Sequence, residues 1–202
     1  MLIGLTGRMG AGKDTVCERI VALLAAEGER GCRFSFADPL KQSVCKLFGL
    51  TREELEEWKL SEGAFLLLGP HREDGEEEVK VDGYMTMRML LQRYGTEAHR
   101  EVFGDTFWVD LGIRAAVDHR AHYPTHTQIF TDVRFDNEAY AILMEGGRVF
   151  EVVGPEGPTS PDAEHASERG LRRDLLTGGI MNDRRDGDMA YLDANIKAAL
   201  GL

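Results

Sequence analysis

A chain of 202 residues, 43% of them hydrophobic, holds enough apolar material for one domain with a sizeable core and too little to promise two. Its formal net charge of −11 works against a protein whose main task is gripping nucleic acid, because backbone phosphates are repelled outside a local basic patch. No apolar run approaches the ~18 residues of a membrane span, and Arg8 and Lys13 interrupt the N-terminal one, so a soluble cytoplasmic protein without a membrane partner is expected. Cys17, Cys32 and Cys45 are odd in number, widely spaced and set in apolar patterns, which predicts buried reduced thiols and no metal site made from them.

Residues 2–15, LIGLTGRMGAGKDT, pass from a short apolar run into a glycine-rich turn that ends in lysine and opens a helical pattern. Leu2, Ile3 and Leu5 supply a buried strand, and Val16, Ile20, Leu23 and Leu24 recur at helical spacing. Gly7, Gly12 and Lys13 fit the G-x-x-x-x-G-K template, in which backbone N–H groups wrap phosphates and the lysine neutralises the terminal ones. The helix that follows points its partly positive N-terminus at the same anion. The hydroxyl residue that usually follows the lysine and binds Mg²⁺ is replaced by Asp14, with Thr15 next. Either Asp14 holds magnesium through water, or it caps the helix and leaves the metal to Thr15.

Residues 32–37, CRFSFA, read as a second strand and PLKQSVCKLFG as a helix opened by Pro39 and capped by Asp38. Lys41 falls in the first turn, where a cation opposes the helix dipole, so it either meets a substrate phosphate or is simply solvated. In TREELEEWK, 51–59, Thr51 and Glu54 form a capping box. Residues 60–84 have no helical period, and their acidic centre EDGEEE suggests an exposed hairpin, loop or lid, where Arg72 reaches a phosphate or pairs with its acidic neighbours.

Met87, Leu90, Leu91 and Tyr94 share one face of the next helix, while Arg88 and Gln92, four apart, share another from which both reach a nucleotide. Gly95 interrupts the pattern before a new turn at Thr96. Trp108 opens the following helix, where it stacks a base or, the preferred reading, fills the core. His119, His122 and His126 flank Pro124 and invite a metal reading; with no cysteine or acid close by, a cationic surface helix end is preferred. Residues 127–147 give a strand with Ile129 and Phe130, then a helix capped near Asp136. An acid at such a strand end faces Mg²⁺ beside a phosphate loop, so Asp132 is a metal candidate against the alternative of a cap, and Arg134, two residues on, points the same way on a strand. Strands at 148–154 and 178–183 bracket a proline- and charge-rich loop or lid, 155–175, and a last helix carries Met189, Leu192, Ile196 and Leu200 on one face. The sum is an α/β chain: a single domain, 1–202, built as a three-layer P-loop sandwich with a mainly parallel sheet, helices on both faces and lid-like insertions.

The segments GKDT, ADPLK, LLQRYGTE, FWV, TDVRFDNEA followed by GG, and HASE occur in order along nearly the whole chain, and together they resemble the deoxynucleoside monophosphate kinases of bacteriophages. Asp14, a departure from the general template, is in keeping with that family. The resemblance implies ATP- and Mg²⁺-dependent phosphoryl transfer to a deoxynucleoside 5′-monophosphate, giving the diphosphate, in the host cytoplasm if the chain is phage-encoded. It is compatible with a homodimer. By similarity Gly10, Ala11, Gly12, Lys13, Asp14 and Thr15 hold ATP, and Leu40, Lys41, Arg88, Gly95, Trp108 and, on a shorter match, Arg72 serve the monophosphate. The catalytic candidates are then Lys13, Arg88 and Arg134, and the metal candidates Asp14, Thr15 and Asp132. His165 and Glu168 in HASE receive no role. The alternatives are a P-loop kinase of another small metabolite, or a nucleotide-binding regulatory module, for which a guanine-reading N-K-x-D stretch is missing.

Overall fold

The computed structural model describes residues 1–60, 85–154, 170–182 and 189–202. Residues 61–84 and 155–169, which make up most of the two lid-like stretches and contain Arg72, His165 and Glu168, lie outside them. In chain order the elements are β1 (Leu2–Thr6), α1 (Lys13–Ala26), β2 (Arg30–Phe34), α2 (Asp38–Phe48), α3 (Arg52–Leu60), α4 (Met87–Gly95), a π-helical turn (Thr96–Arg100), α5 (Glu101–Phe103), α6 (Phe107–His122), β3 (His126–Phe130), α7 (Asp136–Met144), β4 (Arg148–Val153), a 3-10 turn (Arg173–Leu175), β5 (Gly178–Met181) and α8 (Met189–Leu200). The residues group into two compact units, Met1–Asp38 with Val109–Leu202, and Pro39–Trp108.

The first unit is organised by one parallel sheet of order β2-β3-β1-β4-β5. Side chains alternate across a strand, and both faces are apolar because helices cover both. Ile3, Leu5, Ile129, Phe150, Val152 and Ile180 pack with Val16, Ile20 and Leu24 of α1 and Leu192, Ile196 and Leu200 of α8. Leu2, Phe130 and Val149 pack on the other face with Val109 and Ala116 of α6 and Ala139 and Ile142 of α7. This is the expected three-layer α/β sandwich. Met189 departs from the predicted stripe: it is 39% exposed, so the packed face of α8 starts one turn later. A two-pronged pair from Arg19 to Asp193 (Nε to Oδ1 2.8 Å, Nη2 to Oδ2 2.5 Å) joins α1 to α8.

Several local expectations shift. β2 lies two residues or more before the predicted 32–37, because the N–H groups of Phe36 and Ala37 donate to the Asp132 carboxylate (2.9 and 3.1 Å) and leave the ladder. β3 stops at Phe130, so Asp132 and Arg134 do not share a strand face. α7 is capped from within: the Glu138 carboxylate accepts from the backbone N–H of Arg134 (2.7 Å) and of Phe135 (3.1 Å), while Asp136 is already helical. Cys17 is buried, and burial pushes its thiol up to about 11, but Cys32 and Cys45 are only half-buried. The cysteine thought absent from the histidine group is present: Cys32 Sγ is 3.6 Å from His126 Nδ1, brought there by parallel pairing of β2 with β3. Burial, and then the neighbouring His126 and His122, pull His119 below the usual histidine range, against the expected cationic helix end.

In the second unit α2, α3 and α4 close around Val44, Leu55, Met87, Leu90 and Leu91, the apolar positions of three amphipathic helices. The Thr51–Glu54 capping box forms, with Thr51 N donating to Glu54 Oε2 (2.7 Å) and Glu54 N to Thr51 Oγ1 (3.2 Å). Thr86 Oγ1 accepts from Met89 N (3.2 Å) and starts α4. No helix among the described residues is long and apolar enough to cross a membrane.

Candidate functional site

β1 delivers the chain into the loop at 7–12, at the C-terminal end of the sheet, where ligands of open parallel sheets bind. Gly7, Gly10 and Gly12 have φ of +140°, +80° and +85°, values that side-chain-bearing residues rarely adopt, so the template's glycines are required by the turn itself. Two strand ends press on this loop. A Cβ on Gly154, just after β4, would lie 2.4 Å from Ala11 O, and Asn182, just after β5, donates from Nδ2 to that same oxygen at 2.8 Å. Gly12 precedes α1 and brings no capping side chain, so the partly positive N-terminus of the helix faces the loop without a built-in side-chain acceptor from its cap residue. Lys13 folds over the loop, its Nζ donating to Gly7 O (2.7 Å) and Arg8 O (3.0 Å).

Oxygen donors stand beside the lysine in sequence. Asp14 pairs with Arg33 Nη2 at 2.6 Å with both side chains well exposed, a contact worth little in stability and easily exchanged. Thr15 is half-buried. Asp132 is committed to the turn after β2: Oδ2 accepts from Ser35 Oγ (2.6 Å) and Ala37 N (3.1 Å), and Oδ1 from Phe36 N (2.9 Å). Oδ2 thereby has both lone pairs engaged while Oδ1 retains one, and Asp14, Thr15 and Asp132 all offer oxygen, the donor chemistry of a hard divalent cation held partly through water. The loop with Lys13 suits the phosphates of a nucleotide.

In the second unit the anion facing Lys41 is Glu56 of α3, at 2.5 Å, with Lys59 (3.2 Å) and Arg52 (3.3 Å) on the same carboxylate. Burial pulls Lys41 below the usual lysine range, partly opposed by the Glu56 hydrogen bond. For Glu56 burial pulls upward, but the hydrogen bond and charge of Lys41, with help from Lys59, outweigh it and leave the carboxyl at about 2. A cation that looked misplaced on its own helix is thus held by the next one. Leu40 packs against Gly95, where a Cβ would come within 3.2 Å of it, and Trp108 is 5% exposed with its indole N–H donating to Gly95 O (2.9 Å). Tyr94, His99 and Phe107 surround the indole at centroid distances of 6.5, 4.8 and 4.8 Å. Arg88 and Gln92 lie exposed on α4.

No protein-family model matches the chain. A protein of Escherichia phage T5 named deoxynucleoside-5′-monophosphate kinase is 24% identical over 232 aligned residues, covering 90% of this chain and 89% of its own. A protein of Acanthamoeba polyphaga mimivirus named putative deoxynucleotide monophosphate kinase is 30% identical over 182 residues, covering 85% of this chain and 82% of its own. The chain belongs to the deoxynucleotide monophosphate kinase family.

In this deoxynucleotide monophosphate kinase family member, sequence reasoning passed over three residues that shape the loop and Lys41. Asn182 and Gly154 act on Ala11 from 171 and 143 positions away, a proximity no local pattern carries, although Gly at a strand end is itself a cue for close backbone approach. Glu56 belongs to a helix face rich in acid and gives no signal until it is seen against Lys41.

Proposed function

We propose that the chain transfers the γ-phosphoryl group of ATP to a deoxynucleoside 5′-monophosphate, giving ADP and the deoxynucleoside diphosphate. The observation that carries this reading is the loop itself: three glycines in the left-handed region ending in Lys13, in a chain whose relatives are named for that acceptor. The N–H groups of residues 10–15 and Lys13 take the β- and γ-phosphates, with Lys13 exchanging its bonds to Gly7 and Arg8 carbonyls for stronger charge-assisted ones. Asp14, Thr15 and Asp132 are the residues that would hold Mg²⁺, which when bound supplies charge neutralisation between the phosphates.

Lys41, Arg88 and Arg134 are assigned to the acceptor phosphate and to the charge that builds on the transferring group, with Gln92 beside Arg88. Leu40, Gly95 and Trp108 support the acceptor nucleoside, Trp108 by holding the Gly95 carbonyl. Arg72 is assigned to the same phosphate on the resemblance alone. Phosphoryl transfer of this kind needs position and charge, so no nucleophilic side chain takes part.

The test is ADP release from ATP and Mg²⁺ with each of the four deoxynucleoside monophosphates and the matching ribonucleotides. Release driven by one or more deoxy forms, with the diphosphate formed in equal amount, is expected. Release indifferent to every monophosphate overturns the reading and favours a slow regulatory hydrolase.

A further inference from the structure

Away from the phosphate loop, three soft donors meet at the other end of the sheet. Cys32 on β2, His119 near the end of α6 and His126 at the start of β3 each offer one ligand atom, and these atoms lie within 4.8 Å of one another. They come from three elements of the same unit and are all half-buried, sheltered yet open to an ion. We propose that Cys32, His119 and His126 form a zinc site with water in the fourth position, one that fastens the edge strand β2 to α6 and β3.

The spacing supports it quantitatively. Bonds of about 2.3 Å to sulfur and about 2.05 Å to nitrogen at a tetrahedral angle put the two ligand atoms about 3.6 Å apart. Cys32 Sγ and His126 Nδ1 are 3.6 Å apart. The His119 ligand atom lies within 4.8 Å of the other two, so a shift of at most about 1.5 Å closes the set, within reach of a change in its ring torsion. The donors also choose the metal: one thiolate and two imidazoles suit zinc and exclude magnesium and calcium, which require oxygen.

A second observation points the same way. Gln128 is 0% exposed, its Nε2 is 3.4 Å from His119 Nδ1, and its Oε1 is buried with no hydrogen-bond partner among the described residues. A metal-bound histidine is oriented by the groups its ring meets, and the buried Gln128 amide, held by its Nε2–H donating to His126 O at 2.8 Å, stands beside His119 Nδ1. Tyr123, stacked on His126 at 4.9 Å and 10°, and Phe34, edge-on to His119 at 5.4 Å, restrict the rings. His126 lies at the N-terminal end of β3, about 13 Å of strand before the turn that leads to Asp132, so the metal acts on structure and not on phosphoryl transfer. Binding releases the Cys32 thiol proton to solvent and leaves a thiolate on the metal.

The experiment uses the untagged full chain, dialysed free of metal, titrated with Zn²⁺ against a chromogenic chelator and separately with Co²⁺. One equivalent of Zn²⁺ at sub-micromolar Kd, a thiolate-to-cobalt charge-transfer band, and a higher Tm with zinc at unchanged kcat are expected. Cys32→Ser should abolish the band and weaken zinc at least 100-fold, while Cys45→Ser leaves both intact. His126→Asn, checked by circular dichroism for a native fold, should lose zinc in the same way if Cys32→Ser fails to fold. Failure to bind zinc at micromolar concentration, a cobalt spectrum without the thiolate band, or full retention in folded Cys32→Ser or His126→Asn overturns the proposal.

Discussion

Gly154→Ala is the sharpest test of how the phosphate loop is held. The φ of Gly154 lies outside the left-handed region, so alanine brings no backbone strain of its own and the effect is steric. The new methyl would sit 2.4 Å from Ala11 O, 2.8 Å from its Cα and 2.9 Å from its carbonyl carbon, all backbone atoms that cannot rotate away. At least about 0.6 Å must open between the end of β4 and the loop, and the Asn182 bond to the same oxygen resists that movement. Misplacing a reacting group by about 1 Å costs on the order of 100-fold, so kcat/KM for ATP should fall by about that factor, equivalent to about 2.7 kcal/mol. Thermal stability should fall by a smaller amount, about 1–2 kcal/mol of overpacking. Steady-state kinetics with ATP varied, beside a melting curve, reads both. Gly179→Ala is the control, because its methyl would meet only Glu151 O at an ordinary 3.6 Å. Wild-type kcat/KM for ATP in a folded Gly154→Ala protein would refute the account of the loop.

Three further outcomes are expected. Asn182→Ala removes a buried donor from Ala11 O and should cost about 1–3 kcal/mol in stability, with a raised KM for ATP that Asn182→Gln does not fully restore. Glu56 has a folded pKa of about 2 against the ordinary 4.5, so its contribution is complete above about pH 4.5 and disappears as pH falls toward 2. With 38% of the side chain exposed, solvent screening reduces that contribution to about 1 kcal/mol, and melting curves of wild type and Glu56→Gln should converge as the pH approaches 2. Arg88→Ala should raise the KM for the monophosphate about tenfold or more and leave that for ATP nearly unchanged; equal effects on both would remove Arg88 from the acceptor side.

The sequence made the sheet and the loop legible for a physical reason: β1, the glycine turn and α1 are contiguous, so strand pattern, turn residues and helix period report on one another within 25 residues. Val16, Ile20 and Leu24 fall on one face because a helix repeats every ~3.6 residues, and they are buried as that period requires. What escaped was set by pairing between distant strands. Cys32 meets His126 because Cys32 is level with Gln128 and Arg30 with His126 in the β2–β3 register, a relation that no spacing along the chain encodes. Asp132 was read as an acid at a strand end, but the strand ends two residues earlier and the carboxylate gathers the turn at Ser35–Ala37, a role visible only once β2 and β3 are neighbours. Lys41 looked locally unfavourable because its counter-ion, Glu56, belongs to the next helix.

In the proposed reaction the loop ending in Lys13 hands a phosphoryl group to a second nucleotide. ATP labelled at the γ-phosphate, incubated with Mg²⁺ and each deoxynucleoside monophosphate in turn, reads this directly when products are separated. Label should appear at the β-position of a deoxynucleoside diphosphate and fall by several orders of magnitude in folded Lys13→Ala. Label recovered only as inorganic phosphate, or transfer that survives Lys13→Ala, would contradict it.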